Sequence, residues 1–123
     1  MKEAYCSYEV SKLLKEKGFD EECTHYYSCE DNELIEYTYG VNSRNSKNCD
    51  ICTSPTHQMA CAWLREKGVY MSIDTVISSS GNIIYFNIDT YSENSGWNHP
   101  VDFYDSYEDA IETAIKYALE KLI

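Results

Sequence analysis

A chain of 123 residues with 43% hydrophobic side chains is long enough to bury a core of its own and too apolar to be a disordered segment. Its formal net charge of −11 excludes the usual basis for holding nucleic-acid phosphates or anionic membranes, which is a surplus of lysine and arginine. No apolar run approaches the ~20 residues of a membrane span, and the start, MKEAYCSYEV, lacks the apolar core of a secretory signal. A single soluble, cytoplasmic domain covering residues 1–123 is therefore the expectation.

Taken in order, Ser7 is placed to cap a first helix that runs to about Lys17, with Val10, Leu13 and Leu14 as its inward stripe. Gly18 ends it, and Phe19 stands where a Schellman end folds a hydrophobic residue back on Leu14. Residues 24–29 and 33–39 alternate and are rich in tyrosine, so they read as a hairpin turning at Glu30-Asp31-Asn32. Residues 40–53 form a polar connection that Arg44 and Lys47 make locally basic. Ser54 and Pro55 then start a second helix, with Thr56, Met59, Ala60, Trp63, Leu64 and the stem of Lys67 on its apolar face and Gly68 as its stop.

Residues 70–78 and 83–90 form a second hairpin around Ser79-Ser80-Gly81-Asn82. Residues 91–106 read as a connection, and a last helix over 106–123 is capped by Asp105 or Ser106, with Ala110, Ile111, Ala114, Ile115, Ala118, Leu119 and Leu122 as its stripe. The fold expected is α+β in the order α-β-β-α-β-β-α, with a mainly antiparallel four-stranded sheet and helices on one face. A shift of fifty positions superposes Leu14, Glu16, Lys17 and Gly18 on Leu64, Glu66, Lys67 and Gly68. Residues 7–40 and 54–90 therefore read either as a tandem αββ duplication or as two helix–hairpin units sharing an end signal.

Motifs for chemistry are sparse. Cys49 and Cys52 have the CxxC spacing of a zinc knuckle, and Cys23 and Cys29 are the available partners. A second CxxC is missing, so ordinary reduced thiols, no metal and no cofactor are the preferred reading. Cys52 ahead of a helix start with His57 nearby suggests thiol catalysis, but His57 lies inside the helix beside its apolar face. His25, His57 and His99 fall in three different elements, and no phosphate-loop, dinucleotide or hydrolase motif is present. The chain reads as a non-enzyme.

Charge carries more. Between Lys67 and Lys116 there is no lysine or arginine, while that span holds Asp74, Asp89, Glu93, Asp102, Asp105, Glu108, Asp109 and Glu112. An acidic surface steers a basic partner, or serves solubility alone. Within it, Tyr91, Glu93, Trp97, His99 and Asp102 form the candidate binding set, because large aromatics beside charge in a loop make effective anchors. The favoured function is an acidic interaction protein that binds a basic protein surface, without direct contact to nucleic acid or membrane. The alternative is a small-molecule or nucleotide-binding domain using the aromatic loop 91–104.

The segment from Cys52 to Lys67, CTSPTHQMACAWLREK, resembles a C-T-A-P-x-x-x-x-A-x-x-W-[LF]-R-E-K pattern found in short uncharacterised proteins of phages, prophages and mobile elements of gut Bacteroides-type bacteria. Tyr8 to Glu22 and the run Ser106 to Ala110 resemble the start and the ending of those proteins. The resemblance implies a context, a phage or mobile element in a bacterial cytoplasm, and not a mechanism; an anti-defence factor or nucleic-acid mimic is a form the favoured acidic interaction protein can take. Many such sequences lack the CxxC, which tells against a metal role for Cys49 and Cys52.

Overall fold

The computed structural model describes residues 4–28, 33–37, 43–47, 50–98 and 105–123. They form α1 (Tyr8–Glu16), β1 (His25–Ser28), β2 (Leu34–Glu36), a 3-10 turn (Asn45–Lys47), β3 (Ile51–Thr53), α2 (His57–Glu66), β4 (Val69–Ile77), β5 (Ile83–Ser92), β6 (Gly96–Asn98) and α3 (Tyr107–Tyr117), which ends in a π-helical turn (Ala118–Leu122). The α+β class and the alternation of helices with hairpins are as expected. The single four-stranded sheet is not. Two three-stranded antiparallel sheets form instead, in the orders β2-β1-β3 and β4-β5-β6. In each, a three-residue strand from a stretch expected to be a connection pairs with the open side of a hairpin strand, whose exposed N–H and C=O groups need a partner. The chain divides into two compact units, Met1–Ala60 and Cys61–Ile123.

In the first unit, Ser7 caps α1 by accepting the Val10 N–H at 3.2 Å. Its end has both bonds of the Schellman motif: Phe19 N–H to Leu14 O at 2.9 Å and Gly18 N–H to Lys15 O at 3.1 Å, with Gly18 at φ +94°. Phe19 and Leu14 are both buried, in keeping with the hydrophobic contact that commonly accompanies the motif. The β1–β2 register aligns Tyr26 with Ile35 and Tyr27 with Leu34, and β3 aligns Thr53 and Cys52 with the same two tyrosines. Alternation then sends Tyr27 to the inside, where its ring meets Tyr8 of α1 edge-on at 5.7 Å, while Tyr26 packs on Tyr37 at 4.5 Å. The turn expected at 30–32 lies outside the described residues.

The segment from 43 to 47 is tied to the rest of its unit at several points. Cys23 and Ser43 form an isolated antiparallel bridge, Arg44 pairs with Glu22 at 3.3 Å, and the Ser46 N–H donates to Asp20 at 2.7 Å. That hydrogen bond holds the Asp20 carboxyl below its usual range. At the centre Asn45 is 8% exposed; its amide donates to Phe19 O at 2.8 Å and its oxygen accepts the Thr53 N–H at 2.9 Å. The end of α1 is thereby tied to β3.

α2 begins two residues later than its sequence suggests. Thr56, not Ser54, caps it by accepting the Met59 N–H at 3.1 Å, because Ser54 is fully buried and donates its hydroxyl to Cys6 O at 2.8 Å. His57, Ala60, Trp63 and Leu64 are its buried residues, and the Lys67 ammonium sits 5.2 Å from the Trp63 ring centroid.

In the second unit α3 starts at Ser106, whose hydroxyl accepts the Asp109 N–H at 3.0 Å. It packs Ala110 and Ala114 on Ile88 of β5, with Met71, Ile73 and Phe86 around them. Each large apolar side chain removed from water there contributes about 1.5–3 kcal/mol, and the small alanines let helix and sheet approach. One face of the β4–β5 hairpin is thus committed to the core.

Asn45 yields a stability prediction. Asn45→Ala removes the amide that bonds Phe19 O and the Thr53 N–H, at about 1–2 kcal/mol for each buried hydrogen bond lost. The expected outcome is a loss of about 2–4 kcal/mol in urea unfolding, and a loss below about 0.5 kcal/mol would contradict it.

Candidate functional site

Strand alternation turns the even-numbered residues of β4 away from α3. Tyr70, Ser72, Asp74 and Val76 stand there, directly across from Tyr91, Asp89, Asn87 and Tyr85 of β5. β6 continues the first of these rows: Tyr91 aligns with Trp97. Tyr70, Tyr91 and Trp97 therefore form one aromatic row across three strands, with ring centroids 6.3 Å and 5.3 Å apart. Tyr91 is the half-buried middle member. Tyr70 is 42% exposed and Trp97 68%, so the two ends present their rings to solvent.

The row is held by the turn that follows β5. Ser92 O accepts the Ser95 N–H at 3.3 Å, Ser92 Oγ accepts the Asn94 N–H at 3.2 Å, and Gly96 takes φ +71°, which returns the chain as β6. Glu93, exposed in that turn, donates its N–H to Gly68 O at 3.2 Å. Its carboxylate lies over Gly68, 3.2 Å from where a Cβ would stand, so the glycine that closes α2 also leaves room for Glu93. Asp89 and Asp74 continue along the same face of the hairpin.

Of the five residues singled out in the sequence, the fold gathers Tyr91, Glu93 and Trp97 at one end of the second sheet. His99 and Asp102 lie outside the described residues. Tyr70 was missed, although its place in the β4 alternation, opposite in phase to Val69, Met71 and Ile73, marks it as facing away from the core. Trp97 belongs to a strand, not a loop. The Ser95-Gly96 pair ahead of it was the available signal for a short hairpin turn.

The cysteines that suggested metal or thiol chemistry are differently placed. Cys29 and Cys49 lie outside the described residues, and Cys23 and Cys52 are buried at 2% exposure each. Burial pushes the Cys23 thiol up to about 11, against a smaller opposing effect of Thr53, and burial also raises Cys61 despite the nearby Arg65. Both are held as thiols. No family model matches the chain, and no curated protein or solved structure does either. Among the described residues no helix is long and apolar enough to cross a membrane.

Two measurements follow from this geometry. A thiol whose pKa is about 11 in the fold and 9.0 in the free state binds more protons folded than unfolded between those values, so its contribution to stability is lost as pH rises from 9 to 11. Native alkylation mapped by mass spectrometry should leave Cys23 unmodified at pH 8, and Cys23→Ala should flatten the fall in unfolding free energy above pH 9; rapid native labelling would contradict the assignment. Trp97→Ala, at a residue 68% exposed, should change stability by less than about 1 kcal/mol in thermal melting, and a larger drop would make Trp97 a packing residue.

Proposed function

We propose that the protein is a non-enzymatic, acidic interaction module that binds a basic surface of another protein through the face carrying Tyr70, Tyr91 and Trp97. The observation that carries this reading is the solvent-facing aromatic row, with Glu93 in the turn between β5 and β6 and Asp89 and Asp74 along the same face, in a span without lysine or arginine. Exposed tryptophan and tyrosine supply large contact area at small entropic cost, and carboxylates favour and orient a cationic partner. Together they suit a protein surface rich in lysine and arginine and disfavour one rich in phosphate. The resemblance of the Cys52–Lys67 segment and the chain's two ends to phage and mobile-element proteins suggests a host or phage protein as that partner.

Affinity capture from bacterial lysate at low and high ionic strength tests the reading. A captured basic protein should be largely released as salt approaches ~1 M, where the Debye length shortens to about 3 Å. Trp97→Ala should weaken its binding by about 2 kcal/mol while the fold persists. Salt-insensitive capture, or full affinity in the variant, would remove this face from the function.

A further inference from the structure

The row has a chemistry more selective than negative charge, and we infer that its occupant is an arginine-bearing segment, whose guanidinium stacks on the exposed ring of Trp97 or Tyr70 and meets the neighbouring carboxylates edge-on. This rests on the proposed binding of a basic surface and specifies which cation that surface presents.

An exposed π face discriminates between the two cationic side chains. An ammonium is a compact, strongly hydrated point charge, which interacts with an acidic surface mainly through the long-range field. A guanidinium is planar, more weakly hydrated and rigid, so it lies flat on an indole or phenol ring while its edge N–H groups remain free to reach an acceptor. Both components stand together at this end of the sheet. Trp97 is 68% exposed, with Tyr91 tilted against it at 57° and 5.3 Å, and so has ring surface left over. At the other end of the row Tyr70 is 42% exposed and lies diagonal to Asp89, because Tyr70 pairs with Tyr91 and Ser72 with Asp89 in the register. Glu93 is two residues past Tyr91, in the turn joining the paired strands of Tyr91 and Trp97.

Charge complementarity fixes the sign of the occupant and the flat rings select among cations. Nucleic-acid bases also stack on aromatic rows, but the phosphates they bring would meet carboxylates here, without lysine or arginine from residue 68 to 115 to neutralise them.

The test is a titration with two synthetic peptides of equal length and charge, one alternating glycine with arginine and the other glycine with lysine, at about physiological ionic strength. The arginine peptide should bind roughly tenfold more tightly, and Trp97→Ala should bring the two affinities to within about twofold. Trp97→Phe, which keeps a π face, should restore part of the preference and guards against an effect on folding. Equal, salt-sensitive binding of both peptides overturns the arginine assignment and leaves the basic-surface reading standing. Binding of neither overturns both, and an arginine preference that survives in both Trp97 variants and in Tyr70→Ala places the site off the aromatic row.

Discussion

The carbonyl oxygen of Cys6 accepts hydrogen bonds from Ser54 Oγ at 2.8 Å and Tyr27 Oη at 3.0 Å, with Ser11 Oγ at 3.5 Å, and the Cys6 N–H donates to Pro55 O at 2.9 Å. Cys6 is fully buried and lies outside any helix or strand, so regular structure does not satisfy its backbone. Polar groups from α1, from β1 and from the segment ahead of α2 converge on it instead. At a buried site each such bond is strengthened and each missing one is expensive, which makes the convergence a constraint on how these segments assemble. The buried Ser54 hydroxyl is drawn here, which is why the capping of α2 passes to Thr56. Asn45 acts in the same way at the other end of α1, holding Phe19 O and Thr53 N–H with one amide.

The Cys61–Ile123 unit solves a different problem. Its hairpin has two faces, and alternation assigns them separate tasks: Met71, Ile73, Phe86 and Ile88 bury apolar area against α3, while Tyr70, Tyr91 and Trp97 stand on the other side. The apolar core against α3 does not draw on the ends of the aromatic row, and Tyr70 and Trp97 stay exposed. The acidic residues Asp74 and Asp89 are on the same side as the row. Charge and aromatic surface are therefore joined by register.

Local signals in the sequence determined a large part of this. The Ser7 cap, the glycine stops at 18 and 68, the stripe of α3 and the alternation of the long hairpin depend on neighbours within a few residues, and each is found where those neighbours place it. The acidity of the span after Lys67 and the candidacy of Tyr91, Glu93 and Trp97 were legible for the same reason. What only tertiary structure decided depends on long-range partners. β3 and β6 are three residues each, too short to show periodicity, and exist because β1 and β5 offer a side to pair with. Two such additions made two sheets where one was expected. Tyr70 entered the candidate site only through a register that sets it across from Tyr91, about twenty residues away in sequence. Ser54 lost its cap role to a buried carbonyl 48 residues earlier, a competition that no local pattern could show.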